Sequence, residues 1–99
     1  MILFVDDERT PNFSCTIVRN VEDAMFEAAT GRYDTLYLDH DLGQQDVRWF
    51  VLFLEENFFN GNMLGIKEIV LHTQNPVGRM WMRGAFDKYV KVVDGRIET

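Results

Sequence analysis

Three short apolar segments of this chain each end abruptly at an acidic residue or a histidine. The segments and the residues that follow them are Ile2–Val5 with Asp6, Thr35–Leu38 with Asp39, and 66–71 with His72. A short, continuous apolar run is typical of a strand buried on both faces, as in a parallel sheet. Parallel strands need crossover connections, usually helices. The pattern therefore restricts the chain to an α/β fold.

Segments with helical spacing separate these strands. We predict helices from the caps Asn20, Asp46 and Asn75 to about residues 30, 57 and 89, with Pro76 in the favoured first position of the third. Two further strands are predicted at 15–18 and 90–93, and Gly43 marks a turn. We expect one domain over 1–99, with a mostly parallel sheet of four to five strands.

The link between the first strand and the segment at 15–18 departs from this alternation. A helical parallel crossover needs about ten to twelve residues or more, and this link is shorter and contains Pro11 and Asn12, which favour loops. We therefore expect the first helix to be shortened or missing. The direction of the second strand stays open.

Charge and cysteine content narrow the class of partner. The chain has 16 acidic and 10 basic residues, a formal net charge of −6, which disfavours strong binding to duplex nucleic acid because phosphates attract basic surfaces. An anion would bind only where a metal ion, an arginine or a helix N-terminus reverses the local potential. The lone Cys15 and the absence of a signal sequence or a long apolar run predict a cytoplasmic protein without membrane insertion.

Ligands of parallel sheets bind at the carboxyl ends of the strands, where this chain concentrates its ionisable residues. We predict that Asp6, Asp7 and Asp39 hold Mg²⁺ or another divalent cation, since grouped carboxylates repel one another unless an ion bridges them. The alternative is that these residues only cap helices or form turns, for which aspartate is common.

The two histidines are the natural candidates for proton transfer near neutral pH. His40 and His72 both follow strands at this edge, so we predict an acid and a base on opposite sides of a phosphorus atom, with Asp41 orienting His40. The alternative is that each imidazole only satisfies a nearby polar group.

The third predicted helix offers an anion site at its N-terminus. Asn75 would cap it, and Arg79, one turn in, would reach the same phosphate, because side chains lean towards the helix N-terminus. The alternative is an ordinary Asn-Pro helix start and an arginine that pairs with an acid. In this helix, we expect Met80, Trp81, Met82 and Phe86 to lie in the core or at its boundary. At the end of the second helix, we expect Phe58 and Phe59 to be partly exposed, as a pair that would suit a protein partner.

The acids that end the first strand, together with Asp39, resemble the phosphoacceptor site of bacterial receiver domains. Three motifs resemble a divergent branch more closely: VDDERTP at 5–11, LDHDLG at 38–43 and HTQNPVGR at 72–79. That branch is the cyclic-phosphate processing receiver-like domains of bacteria and phages. The resemblance implies a flavodoxin-like three-layer fold.

Further expectations follow from the same resemblance. It implies hydrolysis of a 2′,3′-cyclic phosphate on an RNA end or nucleotide, with Asp39 among the catalytic residues. Arg9 and Thr73, which lie in the shared motifs, join the candidate phosphate-binding residues. A phage-encoded protein would act in the host cytoplasm.

Two other functions remain open. One is a receiver-like switch phosphorylated on Asp39, although the lysine that receivers carry on the last strand would have to be Lys88 or Lys91. The other is a non-enzymatic protein that binds a host or cellular protein.

Overall fold

A five-stranded parallel sheet forms the centre of the fold. The computed structural model describes residues 1–42 and 45–95, without the side chains of Asp41, Gln45 and Asp46. The elements are β1 (Ile2–Val5), β2 (Thr16–Val18), α1 (Val21–Ala29), β3 (Thr35–Leu38), β4 (Asp41–Leu42), β5 (Gln45–Asp46), α2 (Arg48–Phe59), β6 (Glu68–Leu71), α3 (Pro76–Phe86) and β7 (Lys91–Asp94).

The strands lie in the order β2-β1-β3-β6-β7, and every pair in this sheet is parallel. Counting sheet strands along the chain, this is the 2-1-3-4-5 order of flavodoxin-like folds. The predicted α/β class is confirmed. Residues 6–15, which connect β1 to β2, contain no helix, so the expected loss of the first helix is also confirmed.

The region after β3 differs from the prediction. Residues 41–42 and 45–46 pair as the short antiparallel strands β4 and β5, and the predicted turn at Gly43 lies outside the described residues. Asp46 is in β5 and does not cap a helix. α2 instead begins at Arg48, and its N-cap, Val47, makes no side-chain hydrogen bond to the helix. The prediction of an Asp46 cap was therefore wrong, because residue 46 pairs with β4 and the cap and the helix start each fall one residue later.

The other two predicted caps are confirmed. The side chain of Asn20 accepts a hydrogen bond from the backbone N–H of Asp23 at the start of α1. Asn75 Oδ1 accepts hydrogen bonds of 3.1 Å from the N–H groups of Val77 and Gly78 at the start of α3. Both asparagines satisfy N–H groups that have no partner inside the helix.

The two faces of the sheet are covered by different parts of the chain. Alternate strand residues point to opposite faces. Leu3, Leu36 and Ile69 belong to one core cluster with buried residues of all three helices. On the opposite face, the ring of Phe4 contacts that of Phe13, which lies on the loop at 6–15. The third layer over this part of the sheet is therefore that loop rather than a helix.

Phe13 is expected to contribute to stability because its ring packs on Phe4 and Tyr37, with ring centroids 6.2 and 5.0 Å away. Phe13→Ala should lower the free energy of unfolding by about 1–2 kcal/mol. Phe26→Ala is the matched control, since Phe26 is 73% exposed, and should change it by less than about 0.5 kcal/mol. Urea unfolding measures both. Equal effects of the two substitutions would show that the loop contributes no packing to this face.

Candidate active site

Three ionisable residues stand side by side where adjacent strands end. Asp6 directly follows β1, Asp39 follows β3, and His72 follows β6. The N–H of Asp39 donates to the carbonyl of Val5, and that of His72 donates to the carbonyl of Leu38. These bonds extend the sheet ladder by one residue. The three side chains therefore emerge in register on one face of the sheet, and we call them the Asp–Asp–His cluster.

The carboxylate of Asp6 is held by both of its oxygens. Oδ1 accepts hydrogen bonds from the N–H groups of Glu8 and Arg9, at 2.8 and 2.9 Å. Oδ2 lies 3.0 Å from Nε2 of His72. Burial alone raises the pKa of Asp6, but the two N–H donors and His72 outweigh that effect, so the pKa is lowered overall. The residue is therefore an anion at neutral pH.

The imidazole of His72 is enclosed on all sides. It stacks on Phe4 with ring centroids 4.9 Å apart, and its side chain is fully buried. Burial lowers the pKa of His72 more than the nearby Asp6 carboxylate raises it, so we expect a neutral ring. Nδ1 has no hydrogen-bond partner among the residues that the structure describes. A buried polar atom without a partner is unusual and points to a bound group.

The donor atoms of the Asp–Asp–His cluster fit a divalent cation. One ligand atom from each of Asp6, Asp39 and His72 lies within 4.8 Å of the others. Two carboxylates with one imidazole suit Mn²⁺ or Zn²⁺ better than Mg²⁺, which favours oxygen alone.

Asp7 is not part of this group. The metal set predicted from the sequence was Asp6, Asp7 and Asp39, and the structure brings His72 to the other two in the place of Asp7. Asp7 lies in the bend that follows β1 and is half-buried.

Arg9 brings a positive charge to the cluster. Its Nη1 donates to the carbonyl of His72 at 3.0 Å and lies 3.9 Å from Asp6 Oδ2, and about a third of its side chain is exposed. Arg19, which the sequence reasoning missed, donates to the carbonyls of Asp6 and Arg9. Its position directly after β2 was the available signal, because that end of the strand lies at the same edge of the sheet.

His40 lies apart from the cluster, in a groove beside α3. The groove has a volume of about 410 Å³ and is lined by His40, Arg48, Asn75, Val77, Gly78 and Trp81. We call it the His40 groove. The ring of His40 stands edge-on to Trp81, with centroids 6.1 Å apart, and a Cβ on Gly78 would overlap it. The two histidines therefore occupy different surroundings.

Arg79 and Thr73 are engaged with the protein. Nη2 of Arg79 donates to the carbonyl of Thr73 at 2.7 Å, and Nε lies 3.8 Å from the carboxylate of Asp94. The buried hydroxyl of Thr73 accepts a hydrogen bond from the N–H of Asn75. These contacts anchor the start of α3 to the sheet edge. The side chain of Asp41 lies outside the described residues.

The expected lysine of a signalling receiver is not near Asp39. Lys91 begins β7 and pairs with Glu68 at the opposite end of the sheet. Lys88 lies over the ring of Tyr89, beyond the C-terminal end of α3. Neither lysine is at the carboxyl edge where Asp39 lies.

The aromatic and methionine side chains divide between core and surface. Met82, Phe86 and Phe58 are buried, whereas Met80 and Phe59 are 75% and 77% exposed. The predicted core or boundary position of Met80 was wrong, and so was the predicted exposure of Phe58. Phe59 lines an apolar groove along α2 with Trp49 and Leu52, and a protein partner for it stays a prediction. In the described part of the chain, no helix has the length and apolar character to cross a bilayer.

Comparison with known proteins identifies one related family. A protein-family model described as "Cyclic-phosphate processing Receiver domain" matches residues 1–88 of the chain. No curated protein matches the chain significantly.

Metal binding by the cluster predicts stabilisation by the ion. Mn²⁺ at about 100 times its Kd adds about 2.7 kcal/mol, which should raise the Tm of a domain of this size by about 10–20 °C. Asp39→Asn removes one ligand and should abolish most of this rise. Asp87→Asn, which changes an exposed acid outside the cluster, should keep it. Thermal unfolding with Mn²⁺ or with a chelator measures the difference, and an unchanged rise in Asp39→Asn would contradict the metal site.

The buried His72 predicts loss of stability in mild acid. Because its pKa is lowered in the folded protein, the unfolded chain binds more protons below the ordinary histidine pKa of about 6.5. The free energy of unfolding should therefore fall as the pH drops below about 6.5, by at most about 1.4 kcal/mol per pH unit. Urea unfolding across this range in metal-free buffer measures the slope. In His72→Gln the free energy of unfolding should fall less steeply as the pH drops, by up to this amount per pH unit. Identical slopes in the two proteins would refute the interpretation.

Proposed function

Because the chain belongs to the family of cyclic-phosphate processing receiver domains, we propose that it hydrolyses a 2′,3′-cyclic phosphate, on an RNA end or a nucleotide, at the Asp–Asp–His cluster. The observation that carries this proposal is the alignment of three ionisable side chains, each at most 8% exposed, with ligand atoms within 4.8 Å of one another. Burying such groups is costly unless they are paired or bind an ion. Asp6 and His72 are paired with each other, and a bound cation would in addition relieve the repulsion between the carboxylates of Asp6 and Asp39.

We assign Asp6, Asp39 and His72 as the residues that would hold a divalent cation. Such an ion supplies Lewis-acid polarisation of a phosphoryl oxygen and lowers the pKa of water. Asp6 is fixed for this purpose by the N–H groups of Glu8 and Arg9. The neutral ring of His72 presents a lone pair, which a protonated ring lacks.

Arg9 is the candidate that binds the phosphate of the substrate. Its guanidinium lies beside the cluster and is partly exposed, so its remaining N–H groups can donate to phosphate oxygens. Arg79 was the stronger candidate by sequence, but its bond to Thr73 and its proximity to Asp94 favour a structural role in holding α3.

The acid in this scheme is His40. Hydrolysis forms a bond between the oxygen of water and phosphorus, breaks one ribose oxygen–phosphorus bond, and leaves the ribose oxygen in need of a proton. His40 directly follows Asp39 and faces the groove side, from which it would donate that proton. The attacking water loses one proton in return, so the reaction consumes one water and no other reactant.

A phosphoacceptor switch at Asp39 has less support. In such a switch a lysine on the last strand lies beside the acceptor, whereas Lys91 pairs with Glu68 at the far end of the sheet.

The test is incubation with an oligoribonucleotide that ends in a 2′,3′-cyclic phosphate, with Mn²⁺, Mg²⁺ or a chelator, followed by mass analysis of the end. We expect the wild type to add one water in the presence of a metal. Asp39→Asn and His72→Ala should lose metal-dependent activity, and His40→Gln should lower kcat by about 10²-fold or more. Asp87→Asn should retain activity.

Two results would count against hydrolysis. If the cyclic phosphate is not hydrolysed with either Mn²⁺ or Mg²⁺, the proposed reaction is wrong. A stable phosphoryl group on Asp39 after treatment with a small phosphodonor, without hydrolysis of the cyclic phosphate, would favour the switch instead.

A further inference from the structure

The residues that line the His40 groove include the aromatic side chains of Trp81 and His40, which suit a flat, aromatic ligand. Its volume of about 410 Å³ falls within the roughly 300–1,000 Å³ that is common for small-molecule sites. Trp81 lines the groove and is 39% exposed, so its indole is accessible to a ligand there. Nucleic-acid bases bind proteins largely by stacking on such side chains.

The polar residues of the groove also suit a nucleotide. Arg48 is exposed, and His40 lies edge-on to Trp81. No acidic residue is among the described side chains that line the groove, whereas the whole chain has a net charge of −6. The described part of the lining therefore carries no negative charge that would repel a phosphate-bearing ligand.

Gly78 contributes by its lack of a side chain. A Cβ at this position would overlap the ring of His40, so only glycine allows the ring to lie against the backbone of α3. The N–H groups of Val77 and Gly78 are already bonded to Asn75. Recognition in the groove therefore depends on the side chains of Trp81, His40 and Arg48 rather than on the helix terminus.

The groove and the Asp–Asp–His cluster lie on the two sides of one sheet edge. Asp39 and His40 are consecutive, so their Cα atoms are about 3.8 Å apart, and their side chains leave the chain in opposite directions. Asp39 joins the cluster, and His40 lines the groove. A nucleotide bent over this edge would place its phosphate at the cluster and its base in the groove.

We propose that the His40 groove binds the base of the nucleotide whose cyclic phosphate lies at the Asp–Asp–His cluster, with the base stacked on Trp81. This inference rests on the proposed function and adds to it a binding site for the base, which would make the enzyme prefer nucleotides over cyclic phosphates without a base. His40 then lies next to the ribose, which is where the leaving oxygen is.

The test compares adenosine 2′,3′-cyclic phosphate with methyl riboside 2′,3′-cyclic phosphate, which lacks the base. We expect the wild type to prefer the nucleotide in kcat/KM, and Trp81→Ala to reduce this preference by about 5- to 150-fold, since stacking on one aromatic contributes about 1–3 kcal/mol. Trp81→Phe should keep most of the preference. Trp49→Ala is the matched control, because Trp49 is 66% exposed and lies outside the groove, and it should keep the full preference.

A binding measurement separates this inference from the proposed reaction. Adenosine 3′-monophosphate should shift the indole N–H signal of Trp81 in the NMR spectrum of the full chain and leave that of Trp49 in place. If hydrolysis fails but this shift occurs, the base site stands without the reaction. If hydrolysis occurs but Trp81→Ala keeps the preference, the base site is wrong and the reaction stands. No shift and no preference would overturn the base site.

Discussion

The buried carboxylate of Asp6 connects the parts of the molecule on which the site depends. One oxygen accepts two N–H groups of the loop that follows β1, and the other lies 3.0 Å from the imidazole that follows β6. The same residue donates its own N–H to the carbonyl of Val18 at the end of β2. Removing this carboxylate would leave buried donors without partners, which costs more than the bonds themselves contribute.

The missing first helix explains why these contacts are possible. In a regular alternating fold a helix would follow β1 and cover this face of the sheet. Here the loop at 6–15 takes that place, so that the ring of Phe13 packs on Phe4 while Arg9 reaches the carbonyl of His72. The loop thus brings both an aromatic cover and a guanidinium to the edge where the three ionisable residues emerge. The loop that replaces the first helix therefore also supplies part of the site.

Much of this arrangement was predictable from local patterns. The end of each buried strand, the caps Asn20 and Asn75, and the loss of a helix after β1 depend on residues close in sequence, and each was predicted correctly. The start of α2 was not, because the β4–β5 pairing that delays it joins residues with weak strand preference. Met80 was misassigned for a related reason: periodicity identifies a helix but does not determine how far its apolar stripe is covered.

The sequence by itself determined which residues reach the carboxyl edge of the sheet, since a strand that ends at Asp6, Asp39 or His72 delivers that side chain to the edge in any parallel arrangement. Only the tertiary structure decided which of them meet. The strand order places β1, β3 and β6 side by side, and the alternation of side chains sends His72 to the cluster and His40 to the groove. It likewise brings Arg79 to Asp94 on β7. These outcomes depend on register between distant strands, a property that no local pattern encodes.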